Sequence, residues 1–275
     1  MKTCDQKFGK KEQKNYICER TRKCFTLMWP FTSSKSLIKS DIFENMVDCH
    51  CHILPDADSG VQSVDEFKKI IKEYKRLGIK EVWITPDISD SSPNTPEYLN
   101  DLFQRVIEAT QKDKKTGDRQ IDIHLSSVNM IDDSFINRFE SGLFIPFGKE
   151  KNKILISTNY TERPRRLSES IKEILKAGYE PVMVSPERYF YMQSKDYIKA
   201  HEELGLKLML SLPSLVGLYG PEAKRRAKII LESDNYSYFG TDNHGIHKFY
   251  AAATEYKVDN KHINKLKEIR DSIVL

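Results

Sequence analysis

The sequence has little with which to staple or anchor itself. Its 5 cysteines are odd in number and follow no regular spacing. That argues against a disulfide framework and for reduced thiols in a cytoplasm. No apolar run approaches the ~20 residues a bilayer-spanning helix needs, so no membrane span is expected. The apolar "FTLMWPF" near the start is shorter than a signal-peptide core. Neither sign of charge dominates: 44 basic residues face 40 acidic ones, a net charge of +4 that is interspersed along the chain. Such a balance describes a solvated surface and argues against nucleic acid as a partner. A glycine-rich phosphate loop after the first expected strand is missing, which counts against dinucleotide binding. Internal repeats and low-complexity tracts are also missing.

What is there is a β–α alternation. The 275 residues, 39% of them hydrophobic, are enough to bury a sizeable core. Residues 1 to 44, basic and polar at the start, read as a flexible N-terminal extension, with Met28 a candidate start inside it. From residue 45 to 275 a single domain is expected. Strands are expected at Val47–Cys49, Glu81–Thr85, Ile121–Ser126, Ile154–Ser157, Pro181–Ser185, Lys207–Ser211 and Tyr236–Gly240. Amphipathic stretches separate them. Ser63 with Glu66 three residues later forms a capping-box pattern, and Gly78 stands where that helix would end. Thr95-Pro96 and Pro221 open two further helices. Repeated β–α units of this length imply a parallel sheet.

Polar residues cluster at or just past the ends of these strands, the place where barrel enzymes carry their sites. The fold expected is therefore an α/β barrel. In "VDCHCH", residues 47 to 52, strand alternation puts Asp48, His50 and His52 on one face and Cys49 and Cys51 on the other. Imidazoles beside a carboxylate suit a divalent metal, although a half-exposed strand with a wet polar face would read the same way. "FGTDNHG" repeats the pattern with Asp242 and His244. In a barrel the first and last strands are neighbours, so this pair is expected beside His50 and His52. Arg188, just past the fifth strand, could hold a phosphate with two N–H groups, or simply pair with Glu187. His124, His201, His247 and His262 lack such company and read as surface or structural residues.

These motifs carry a resemblance. From Val47 to about His247 the chain resembles the PHP (polymerase and histidinol phosphatase) superfamily. Within it, the likeness is to the bacterial manganese-dependent protein-tyrosine phosphatases of capsule and exopolysaccharide operons. Asp48-Cys49-His50-Cys51-His52 corresponds to the opening Asp-x-His-x-His, and Asp242 with His244 to the closing Asp-x-His. Thr85-Pro86, Pro93-Asn94-Thr95-Pro96, Pro186-Glu187-Arg188-Tyr189 and the stretch from Ser214-Leu215 to Tyr219-Gly220 match as well. The resemblance implies a distorted, TIM-like (β/α)7 barrel, divalent metal ions and phosphomonoester hydrolysis.

The departures bear on function. Asp87 stands where the family has a ligand histidine, and Asp58-Ser59-Gly60 replaces Asp-Asp-Gly. Val128 stands near the place of a metal-bridging glutamate, Ser185 replaces a histidine, and Ser157 an acidic residue. By resemblance, His50, His52 and Asp242 still serve one ion, with Asp87 and His244 as further ligand candidates. Asp48 and Asp58 are expected to support the ligands from behind. One divalent ion per chain is expected, manganese first, with zinc or iron as alternatives. Two functions are compatible with this. One is a weakened hydrolase acting on a phosphotyrosine protein such as a capsule-chain tyrosine kinase, with His244 and Arg188 as its catalytic residues. The other is an inactive pseudophosphatase that binds a phosphorylated partner or scaffolds an assembly.

Overall fold

The strands lie where β-branched and aromatic residues alternate with small or polar ones, and the helices where apolar residues recur every three to four positions. The computed structural model describes residues 33–111, 120–192, 199 and 203–275. In chain order the strands are β1 (Ser34–Lys35), β2 (Val47–Cys51), β3 (Glu81–Ile84), β4 (Asp87–Ile88), β5 (Asp122–Leu125), β6 (Val128–Met130), β7 (Lys153–Ser157), β8 (Glu180–Val184), β9 (Lys207–Ser211), β10 (Tyr236–Gly240) and β11 (Val258–Asp259). Between and after them run helices α1 (Val64–Leu77), α2 (Pro96–Gln111), α3 (Phe135–Glu140), α4 (Leu167–Lys176), α5 (Leu212–Val216), α6 (Pro221–Glu232), α7 (Ile246–Tyr250) and α8 (Asn260–Ser272).

All seven expected strands are present, and local chemistry sets the helix ends. The Ser63 hydroxyl accepts from the Glu66 N–H at 3.2 Å, and Gly78 closes α1 with φ +90°. The Thr95 hydroxyl caps α2 by accepting from the Tyr98 N–H at 3.2 Å.

The parallel strands form two sheets, β2–β3–β5 and β10–β9–β8–β7–β6–β4. The second and third expected strands end at Ile84 and Leu125, and two strands not expected, β4 and β6, follow them after Thr85-Pro86 and Ser126-Ser127. β3 pairs with β2 and β5 with β3, while β6 pairs with β7 and β4 with β6, the stagger of a tilted, sheared barrel. No continuous ladder closes the ring between β2 and β10. Instead the Asp242 N–H donates to the His50 carbonyl and the His52 N–H to the Asn243 carbonyl, each at 2.8 Å. Gly240 makes this approach possible: a Cβ there would lie 2.6 Å from His50 Cβ and 2.7 Å from its backbone.

Val47, Cys49, Trp83, Val128, Leu155, Val182, Val184, Met209 and Tyr238, with Phe147, make a small apolar cluster from alternate strand positions. A larger cluster lies between strands and helices. Filled in this way, the strands form a floor, and the polar residues past their C-terminal ends stand above it.

Residues 33–44 fall within the stretch expected as an extension. Ser34–Lys35 pairs antiparallel with Val258–Asp259, and Leu37, Ile42 and Phe43 are buried in the larger cluster. Residues 1 to 32, with Met28 among them, and His201 lie outside the described residues. His262, expected at the surface or as a structural residue, is buried, with Nε2 2.8 Å from Glu232 Oε1.

Candidate metal and phosphate site

The opening motif does not keep one face. β2 carries a bulge: between Asp48 and Cys51 it advances three residues while β3 advances two. Asp48 therefore turns toward the helical layer. Its Oδ2 accepts from the Tyr74 hydroxyl of α1 at 3.0 Å and the Thr241 hydroxyl at 2.6 Å, and its Oδ1 from the Thr241 N–H at 2.7 Å. Burial pushes its carboxyl up to about 6. Asp48 thus fastens β2 to the end of β10 and stands apart from the side chains that converge.

Those are His50, His52 and Asp242. Their ligand atoms lie within 4.8 Å of one another, and all three side chains are buried. Asp242 Oδ1 is 3.6 Å from His50 Nε2 and 3.8 Å from His52 Nε2. The far nitrogen of each ring is held. His50 Nδ1 lies 2.6 Å from the Thr85 hydroxyl, which itself donates to the Cys51 carbonyl at 3.3 Å. His52 Nδ1 lies 2.6 Å from Asp58 Oδ2. A proton on each Nδ1 turns both Nε2 atoms toward Asp242, the orientation in which a bound metal would displace any proton on Nε2. Burial, aided by its neighbour His52, pushes His50 down to about 3, so that ring is neutral. Burial acts the same way on His52, but the bonded Asp58 carboxylate outweighs it and raises the ring to about 9. Asp242 is held down to about 2: burial opposes its charge, and His50, His52, His244 and Arg188 together favour it.

Three ligands of this kind fit one divalent ion. Among the described residues this is the one group of His, Cys, Asp and Glu side chains placed to hold a metal. Asp87 and His244, expected as further ligands, stand outside it. His244 stacks on His52, with centroids 4.2 Å apart, and its Nδ1 is bonded to the Asp242 carbonyl at 2.8 Å. Asp87 lines the cavity, and burial raises its carboxyl. Among the positions where the chain departs from the family pattern, Ser59 also lines the cavity, Val128 is buried in the small apolar cluster, and Ser185 is buried with φ +51°.

The cavity above the strands has a volume of about 550 Å³ and is walled by Ser59, Asp87, Tyr160, Arg188, Tyr219 and His244, among others. Arg188 enters it from the turn after β8. It does not pair with Glu187, whose Oε1 accepts from the Ser211 N–H at 3.1 Å and whose Oε2 accepts from the Tyr236 hydroxyl at 2.9 Å. Two tyrosine rings pack on the Arg188 guanidinium, Tyr219 at 3.8 Å and Tyr160 at 4.3 Å from Cζ to ring centroid. Asp242 Oδ2 is 3.7 Å from its Nη1. Thr85, Ser211, Tyr160 and Tyr219 escaped the sequence reading as site residues. Thr85 and Tyr219 lay inside matched motifs, but Tyr160, in "STNYTERP", gives no periodic or spacing signal.

The chain is similar to known proteins in sequence and in fold. The chain is 23% identical over 208 residues to the tyrosine-protein phosphatase YwqE of Bacillus subtilis, covering 73% of this chain and 78% of that protein. It is 23% identical over 207 residues to the tyrosine-protein phosphatase CpsB of Streptococcus pneumoniae, covering 73% and 84%. A crystal structure from work on these two proteins, described as unique metal-dependent tyrosine phosphatases, superposes with a TM-score of 0.68 at 19% identity over 82% of this chain and 85% of the other, so the fold is shared. The model of the capsular polysaccharide synthesis family CpsB/CapC matches residues 46–265, four fifths of the chain, and the chain belongs to that family.

Proposed function

We propose that this protein is a divalent-metal-dependent phosphatase that removes phosphate from tyrosine in a protein substrate, working with a single ion. The observation that carries the reading is that Asp242, one member of the His50–His52–Asp242 cluster, lines the same cavity as Arg188, with Oδ2 3.7 Å from Arg188 Nη1. Membership of a family whose named relatives are tyrosine phosphatases supports it and favours the enzyme over an inactive scaffold. His50 Nε2, His52 Nε2 and Asp242 Oδ1 hold the ion. A divalent ion there supplies positive charge and Lewis acidity toward a phosphoryl oxygen. Arg188 donates N–H groups to the phosphate. His244, with its Nδ1–H donated to the Asp242 carbonyl, keeps the Nε2 lone pair free to take a proton from the attacking water and pass it to the departing tyrosine oxygen. Manganese is the ion we assign first, and a cytoplasmic phosphotyrosine protein such as a capsule-chain tyrosine kinase the substrate.

Two-metal hydrolysis clamps both the attacking and the leaving oxygen, and one ion provides half of that clamp. Losing the other half costs several kcal/mol, and each ~1.4 kcal/mol is a factor of ten in rate. Elemental analysis, paired with a manganese-supplemented phosphotyrosine assay, tests the reading. One ion per chain and slow, metal-dependent turnover are expected, and His50→Ala removes both. Restoring ligands together, by Ser59→Asp, Asp87→His, Val128→Glu and Ser185→His, raises the rate. Two ions per chain, or turnover near ~10 per second in the unmodified protein, a typical enzyme rate, contradicts the one-ion account.

A further inference from the structure

Tyr219 stands where the metal cluster meets the phosphate side of the cavity. Its hydroxyl donates to Asp242 Oδ2 at 2.8 Å, beside the Ser211 hydroxyl, which donates to the same oxygen at 2.8 Å. Its ring carries the Arg188 guanidinium. Two hydroxyls on Oδ2 leave Oδ1 as the oxygen that faces the His50 and His52 rings. They also satisfy the oxygen nearest Arg188. The guanidinium stays 3.7 Å from Oδ2, beyond hydrogen-bond range, so its N–H groups are not spent on the metal ligand. Rings stacked on a planar guanidinium leave its N–H edge as the part able to donate, which suits a bidentate phosphate contact.

We propose that Tyr219 is a positioning residue shared by the two halves of the site. Its hydroxyl orients Asp242 toward the ion, and its ring, with that of Tyr160, holds Arg188 ready for phosphate. Tyr160 serves the second task alone, for its ring also packs on Arg188 and it makes no hydrogen bond with Asp242. The inference rests on the one-ion phosphatase reading and separates two roles within one side chain.

The test uses the full chain and two calorimetric titrations, manganese chloride into the chelator-stripped protein and inorganic phosphate into the same metal-free protein. Tyr219→Phe keeps the ring and loses the hydroxyl. Its manganese affinity is expected to fall about tenfold, the usual loss when a ligand's orienting partner is removed. Its phosphate affinity should stay within about twofold of the parent. Tyr160→Leu, at a half-exposed position, is expected to show the reverse: unchanged manganese binding and phosphate binding weakened about fivefold or more, the scale of a lost cation–π contact. Tyr219→Leu loses both. The inference is overturned if Tyr219→Phe binds manganese like the parent, or if Tyr160→Leu and Tyr219→Leu bind phosphate like it. A parent protein that binds neither manganese nor phosphate overturns the proposed function itself, an outcome distinct from variants that fail to separate.

Discussion

His50 and His52 are two residues apart, yet they are driven in opposite directions. One is pushed down to about 3 and the other up to about 9. Both are buried; the difference is the partner on Nδ1, a neutral threonine hydroxyl for one and a carboxylate for the other. Asp58 can hold His52 because Gly60 lets the chain turn back on itself. The Gly60 N–H donates to Asp58 Oδ1 at 2.8 Å, and a Cβ at Gly60 would lie 2.0 Å from the His52 carbonyl. Gly240 makes the same kind of allowance across the β2–β10 seam. Gly240→Ala would force a methyl into His50, with no flexible side chain to move aside. The expected cost is about 1–3 kcal/mol of stability, the usual scale of overpacking, together with weaker metal binding. Urea denaturation and a manganese titration on the same variant check both. A variant as stable as the parent and with the same affinity would show that the seam has slack. Neither glycine announces its role in the sequence, because the atoms it must avoid are 8 and 190 positions away.

At the scale of elements, loops past the strand ends hold the site as firmly as the strands. The turn before α2 does this through Asn94, whose side-chain amide donates to the Ala57 carbonyl at 2.7 Å and the Asp87 carbonyl at 2.8 Å. One buried side chain thus ties the loop bearing Asp58 to the segment bearing Asp87. Asn94→Ala removes this donor from the Ala57 carbonyl and leaves the Asp87 carbonyl with the Ser92 hydroxyl at 3.3 Å, a loss of about 1–3 kcal/mol. It should also loosen the Asp58 loop, and with it the partner of His52. Faster amide exchange at residues 56–60, with α1 unchanged, is the expected signature; exchange rising equally throughout would mean a global effect instead. The seven strands and the capped start of α1 were legible because their signals are local: alternation, apolar spacing, a serine and a glutamate three apart. The bulge in β2 was not. An extra residue in one strand shows only against its partner's register, and it is what removed Asp48 from the ligand face.

For the molecule as a whole, a buried acid makes stability depend on pH. Glu187 anchors the turn that presents Arg188 by accepting from Ser211 and Tyr236. Burial pushes its carboxyl up from an ordinary 4.5 to about 7. Between these values the folded protein keeps a proton that the unfolded chain has released. The stability contributed by the neutral acid is therefore complete below pH 4.5 and is lost as pH rises through about 7. Asp48, raised to about 6, adds to the same trend. Urea denaturation across about pH 5 to 7.5 should show falling stability in the parent and a flatter profile in Glu187→Gln. Equal slopes in the two proteins would show that Glu187 is ionised throughout.

The sequence by itself determined the order of the seven main strands, and it marked the positions at or past the strand ends where His50, His52, Arg188, Asp242 and His244 stand. Both follow from local rules, for a strand alternates and a helix repeats wherever it lies. Only the tertiary structure decided which of these residues meet. The bulge turned Asp48 away, the seam at Gly240 brought Asp242 against both histidines, and Asp87 and His244 fell outside the ligand group. It also recruited Thr85, Ser211, Tyr160 and Tyr219, whose hydroxyls and rings matter only because distant strands set them beside Asp242, His50 and Arg188. The physical reason is that a metal cluster and a clamped guanidinium are sums of short-range contacts. Such contacts are fixed by the packing of elements against one another, to within a fraction of an ångström that no local pattern encodes.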